Sequence, residues 1–316
     1  ENRGLEYMVN MMNRARPADG IESHSIAERA YQRALNFARD RVQGRAVGEV
    51  STERKAIARH PDVQRMLLSM RSRIEAMRAL SLFAAAAADR ASHHPDADER
   101  ALGQRRVEVL TPVVKGWSSE VGNEITGLGL QVHGGMGFIE ETGAAQHYRD
   151  ARITTIYEGT TGIQAADLVG RKLLRDGGGM VNEIIDLMRA DLSAVADSPG
   201  EASQEVGIAA LSLVESLSNA TATILESATR DPRSPFHKSF DYLMLFGGTA
   251  GGWQMARAAK AAQEMLDAGD GNSDFCQAKI LSCLYYARQV LPQGRAHAEA
   301  IQAQDLPAEA LDQWVA

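Results

Sequence analysis

Apolar residues recur at three- and four-residue intervals over most of this chain, the spacing of helices that bury one face. From the start to about residue 46, Leu5, Met8, Met11 and Met12, then Ala27, Ala30, Ala34 and Phe37, predict one long helix. Pro17, with Gly20 close behind, predicts a kink or break in it, because proline lacks a helical N–H and crowds the preceding turn. His60-Pro61-Asp62 opens a second helix, with proline in the first turn and an acid favourable to the helix dipole. Val63, Met66, Leu67, Met70, Ile74, Met77, Leu80 and Ala84 form its core stripe, where methionine reads as core filling. A third helical region runs from about Ala97 to Leu130, with Pro112 marking a kink or restart and glycines up to Gly135 stopping it.

Asp176-Gly177-Gly178-Gly179 reads as a hinge. Beyond it, helices are predicted near 180–196, 201–229, 235–268 and 273–291, separated by Ser198-Pro199-Gly200, Asp231-Pro232 and Gly269-Asp270-Gly271. Short connections of this kind indicate an antiparallel bundle. Gly247, Gly248, Gly251 and Gly252 are spaced to let another helix approach closely. The expected fold is all-α: a helical bundle over 1–176 followed by a second antiparallel helical bundle over 177–316.

Composition agrees with this division. The 316 residues correspond to two domains at about 150 residues each, and 44% hydrophobic content supplies a sizeable core. The net charge of −7 hides an asymmetry: 25 Lys+Arg stand against 22 Asp+Glu in 1–175, and 9 against 19 in the remainder. An anionic ligand therefore belongs on the first part, and neither nucleic acid nor an anionic membrane suits the second. Cys276 and Cys283 are too far apart on one helix to bridge, so no disulfide framework or metal site is expected, as in a reducing cytosol. The most apolar tract, Ala79 to Ala88, is too short to span a bilayer, and no leader-like segment opens the chain. A cytoplasmic protein without a membrane partner is expected. His93 and His94 have no third ligand nearby and read as solvent-exposed.

Candidate chemistry concentrates in 131–164. Glu158 is the only acid in an otherwise uncharged run from Ile153 to Ala166, at the end of a loop beside a helix start. One reading is a helix-initiating acid; the other is a general base, which needs dry surroundings to approach the basicity that a weakly acidic carbon demands.

Three motifs separate these readings. Gln-x-x-Gly-Gly at 131–135, Arg149-Asp150-Ala151-Arg152, and Ile156-Tyr157-Glu158-Gly159-Thr160, in this order and spacing, resemble the C-terminal helical domain of flavin-dependent acyl-CoA dehydrogenases. The resemblance implies that Glu158 removes the α-proton of an acyl-CoA thioester, with Tyr157 and Gly159 beside the substrate. It places Arg16, of Arg16-Pro17, toward the acyl-CoA, although a solvated charge at a helix break fits Arg16 equally. Arg41 would contact the FAD diphosphate, which a planar guanidinium matches bidentately. Gln131 and Gly135 would touch the adenosine diphosphate part of FAD bound mainly by a neighbouring subunit; an ordinary glycine cap is the alternative. Thr160 would offer a hydroxyl and an N–H to the flavin. Gly162 stands where the family often has Gln, and Gln164 is the substitute candidate. Val42-Gln43-Gly44-Arg45 keeps the family's Gly and base but lacks its aromatic residue. Arg149, Asp150 and Arg152 read as an ion-pair cluster fixing the loop, and His133 as structural.

The same resemblance implies FAD as cofactor, trans-2-enoyl-CoA as product, electron-transfer flavoprotein as electron acceptor, and a homo-oligomer. The extension after 176 resembles an extra C-terminal domain of a bacterial subgroup that includes enzymes for methylmercaptopropionyl-CoA. The family's N-terminal helical and middle β-domains have no counterpart in these residues, so the chain is expected to be a portion of a larger enzyme, with half a flavin site and little turnover alone. A non-enzymatic helical scaffold or oligomerisation module, and an acyl-CoA oxidase, are the competing functions.

Overall fold

The computed structural model describes residues 3–45, 47–48 and 53–315, and among the described residues there is no strand, only an isolated bridge between Val42 and Ala56. Three long helices form the first half: α1 (Gly4–Asp40), α2 (Pro61–His93) and α3 (Ala97–His133). The short α4 (Gly135–Phe138) and α5 (Ala144–Ile153) lead through a turn to α6 (Thr161–Asp167), which continues into a π-helical turn at Leu168–Leu173. The second half contains α7 (Gly179–Ala196), α8 (Glu201–Arg230), α9 (Ser234–His237), α10 (Ser239–Asp267), α11 (Ser273–Tyr285), α12 (Leu291–Gln302) and α13 (Ala308–Val315). The all-α class read from the periodicity is the observed one.

Neither proline breaks its helix: α1 passes Pro17 and α3 passes Pro112 unbroken, so the break considered at Pro17 and the restart considered at Pro112 do not occur. The physical reason is tertiary packing: α1 and α3 lie against each other along their lengths. Gly20 serves that contact, since a Cβ there would stand 2.5 Å from the Val114 side chain. A lost helical hydrogen bond is offset by the buried face. α1 also stops earlier than expected, at Asp40, where Arg41 turns to extended backbone. The α2 stripe behaves as read, with Met70, Met77 and Leu80 fully buried. His93 is exposed and His94 half-buried, and no three-ligand metal cluster exists among the described residues.

In the second half the last long segment divides differently. The helix predicted for 273–291 becomes α11, a π-helical turn at Tyr286–Val290, and α12, which starts with Pro292 in its first turn. Cys276 and Cys283 are buried and free. α8 is long and apolar enough to cross a membrane by length and composition, yet it buries one stripe, from Val206 through Leu213 and Leu217 to Ile224, against α7, α10 and α12.

α10 joins the halves, packing on α2, α3 and α6 as well as on α7, α8, α11 and α12. Its glycines explain how. A Cβ on Gly247 would overlap the Trp117 ring, and one on Gly251 would lie 2.9 Å from the same indole and 2.6 Å from the Tyr286 hydroxyl. Leu291 packs on Gly252 in the same way. One contiguous hydrophobic cluster consequently runs from Ala27 in α1 to Ile301 in α12. Trp253 of α10 is fully buried, donates its indole N–H to Asp191 at 2.9 Å and meets Phe83 of α2 edge-on.

Candidate active site

The turn between α5 and α6 carries Glu158. Its φ of +54° makes it the one non-glycine residue in the left-handed region among the described residues, and Gly159 follows at +94°. At a non-glycine residue such as Glu158 this backbone costs about 1–3 kcal/mol and persists only where surroundings enforce it, whereas Gly159 adopts it freely. Here two carbonyls of the turn are held from several sides. The Glu158 carbonyl accepts from Arg16 Nε at 3.4 Å and from Gln164 Nε2 at 3.3 Å. The Gly159 carbonyl accepts from Lys115 Nζ at 2.8 Å and from Gln164 Nε2 at 3.1 Å. Gly159 admits this close packing: a Cβ would lie 2.9 Å from the Gln164 amide.

With its backbone fixed, the Glu158 side chain presents a carboxylate whose Oε2 is buried and accepts no hydrogen bond within the chain. A carboxylate oxygen without a competing donor keeps its lone pairs available to an incoming proton. Around it the motif's Tyr157 meets groups the motif does not contain. Tyr157 donates its hydroxyl to Glu22 of α1, and burial first, then Glu22 and Asp19, hold that phenol above its ordinary range. Asp19 is buried with Oδ2 unpartnered; burial raises its pKa, while Tyr157 and Lys115 act in the opposite direction. Lys115, 0% exposed, is pushed down by burial, with Asp19 opposing and Arg16 adding to the effect. Thr161 donates to Glu120 at 2.5 Å.

The structure sorts the candidate residues into two groups. Arg16, Tyr157, Glu158, Gly159 and Gln164 meet at the turn. Arg16 is buried there, ion-paired with Asp167 at 3.3 Å rather than standing free at a helix break. Gln164 is fully buried with Oε1 unpartnered, and exposed Thr160 is the N-cap of α6 without a side-chain capping bond.

Arg41, Gln131 and Gly135 instead line a separate cavity of about 630 Å³, together with Phe37, Gln43, His60 and His133. All three of those candidates are exposed, and nothing stands within 4 Å of a Cβ placed on Gly134 or Gly135, so backbone is open to a ligand. Arg41 donates to Gln43 at 3.3 Å, leaving other guanidinium N–H groups available. His133 is structural in this arrangement: it bonds the Gly129 carbonyl at 2.7 Å, packs on Phe37, and burial lowers its pKa. The expected cluster of Arg149, Asp150 and Arg152 does not form. Arg149 pairs with Glu140, Asp150 accepts from Gln146, and Arg152 is exposed.

Lys115, Asp19, Glu22 and Glu120 escaped the sequence reading. Lys115 was detectable by the criterion that singled out Glu158, because it is the one charge between Glu108 and Glu120. The three acids sit among other charges and carry no such signal.

The sequence and its helical fold have counterparts in known proteins. The family model "Acyl-CoA dehydrogenase, C-terminal domain" matches residues 2–174, and "Acetyl-CoA dehydrogenase C-terminal like" matches 181–312. The chain belongs to the acyl-CoA dehydrogenase family. It is 46% identical over 298 residues to the 3-methylmercaptopropionyl-CoA dehydrogenase of Ruegeria pomeroyi, covering 92% of this chain and 49% of that protein. It is 30% identical to the broad-specificity linear acyl-CoA dehydrogenase FadE5 of Mycobacterium tuberculosis, covering 99% and 53%. The chain thus spans about half the length of the curated relatives it matches. An acyl-CoA dehydrogenase from Bacillus anthracis complexed with FAD shares the fold, with a TM-score of 0.72 at 18% identity, over 99% of this chain and 51% of that one.

Proposed function

We propose that this chain supplies the catalytic base and one wall of the cofactor site of an FAD-dependent acyl-CoA dehydrogenase, with residues 1–176 as the dehydrogenase helical domain and 177–316 as the extra one. The observation carrying this reading is Glu158: a positive-φ carboxylate with a buried, unpartnered oxygen, held by bonds to its own and its neighbour's carbonyl. In the reaction Glu158 would take the α-proton of the thioester; FAD, when bound, would supply the hydride acceptor for the β-carbon, so that the product is the trans-2-enoyl-CoA. Tyr157 and Gly159 flank the acyl group.

Arg41, Gln131 and Gly135 fit the diphosphate portion of FAD: an exposed guanidinium, an amide and open glycine backbone face one cavity. Exposed Thr160 lies on the Glu158 side, suited to the flavin end, whereas the buried Gln164 side chain braces the turn instead of facing a ligand. Electron-transfer flavoprotein is the proposed acceptor, and a homo-oligomer would complete the shared cofactor site. The test is turnover on a panel of acyl-CoA substrates by the protein expressed from its complete reading frame, with an artificial acceptor and with oxygen. Acceptor-dependent enoyl-CoA formation supports the dehydrogenase; oxygen-driven turnover would make it an oxidase, and none at all a scaffold.

A further inference from the structure

Lys115 lies in the middle of α3, and its side chain has no solvent exposure. Burying an ammonium is costly unless it is hydrogen-bonded, and an apolar residue of similar volume would fill the same space without that cost. The ammonium is spent on two backbone oxygens. It donates to the Thr154 carbonyl at 2.7 Å and to the Gly159 carbonyl at 2.8 Å, and stands 6.0 Å from the Tyr157 ring centroid. Those carbonyls bracket Glu158: one opens the turn and the other directly follows the carboxylate. Arg16 and Gln164 also bond the turn, at 3.1–3.4 Å, but neither reaches its Thr154 end.

We propose that Lys115 is a positioning residue for α-proton abstraction: its ammonium ties both ends of the turn to α3 and so fixes the Glu158 carboxylate. The proposal rests on Glu158 being the base. Lys115 touches neither substrate nor cofactor in this role. Without it the two carbonyls lose a shared charged donor, the left-handed backbone at Glu158 relaxes, and the carboxylate drifts from its line to the α-carbon.

The experiment compares K115M, K115Q and E158Q in the protein expressed from its complete reading frame. The expected result for K115M is a fall in kcat of about 100-fold, the effect of roughly 1 Å of misplacement. KM and FAD content stay at wild-type levels, and the isotope effect with α-deuterated acyl-CoA rises, because proton abstraction becomes more rate-limiting. K115Q keeps one donor and lies between K115M and wild type. Wild-type kcat and isotope effect in folded K115M, beside an inactive E158Q, overturn the Lys115 role and leave the Glu158 reading intact. Wild-type turnover in E158Q overturns the Glu158 reading itself. If K115M does not fold, K115Q decides: reduced kcat with full flavin supports the proposal, and unchanged kcat refutes it.

Discussion

Arg16 and Asp167, 151 positions apart in the chain, form an ion pair at 3.3 Å with both side chains only 7% exposed. The pair ties α1 to α6 directly behind the Glu158 turn, whose carbonyl the same guanidinium reaches. Removing one partner of a buried pair leaves an uncompensated charge. R16M is therefore expected to cost about 3 kcal/mol. The mostly exposed Arg171 contacts Asp167 and keeps the loss at the lower end of that range. Urea unfolding of the variant measures it, and replacing both partners by apolar residues should cost less than R16M alone.

The contact of Trp117 with Gly247 and Gly251 should be as sensitive. No space exists for a methyl group at Gly247, so G247A must push α10 away from α3. A loss of about 1–3 kcal/mol is expected from such overpacking, read as a lowered unfolding midpoint. G248A is the internal control, because nothing lies within 4 Å of its would-be Cβ.

Acid should destabilise the fold through its buried imidazoles. His133 and His147 both have pKa values lowered from 6.5, by burial first; Arg33 also lowers both. The unfolded chain therefore binds protons near pH 6.5 that the folded chain refuses. Stability present above that pH is lost as pH falls, by up to about 1.4 kcal/mol per pH unit for each group. Denaturation midpoints from pH 7.5 to pH 5 check this, and H147L should flatten the slope. H147L also removes the acceptor for Arg33 Nε, a bond the wild-type protein makes only while His147 is neutral, so the comparison is read from the slope below pH 6.5 and not from the midpoint at pH 7.5.

In the cofactor cavity, R41A is expected to weaken FAD binding about 10–100-fold, as loss of a charge-assisted hydrogen-bond donor would. The Kd of FAD titrated by flavin fluorescence reads this out. Thermal stability of the flavin-free protein should not change, because Arg41 is exposed.

Much of the fold was legible because long amphipathic helices write their burial into a 3.6-residue period, as the α2 stripe from Met66 to Leu80 shows. Pro17 and Pro112 do not end their helices because local propensity is outweighed by the α1 and α3 interface, which no single-helix pattern reveals. The turn motif located Glu158, but its strain and bracing come from Arg16, Lys115 and Gln164, drawn from three helices. Sequence spacing could not bring Lys115 to the turn, since its hydrogen-bond acceptors are main-chain atoms 39 and 44 residues away. The same limit hid the acids around Tyr157, whose importance arises only where α1 packs beside the turn.

The account turns on Glu158 as the base. In the protein expressed from its complete reading frame, E158Q keeps the shape of the side chain and removes its basicity. Turnover of a saturated acyl-CoA should fall at least about 100-fold while bound FAD per chain stays at the wild-type level. Wild-type turnover by flavin-loaded E158Q would contradict the account.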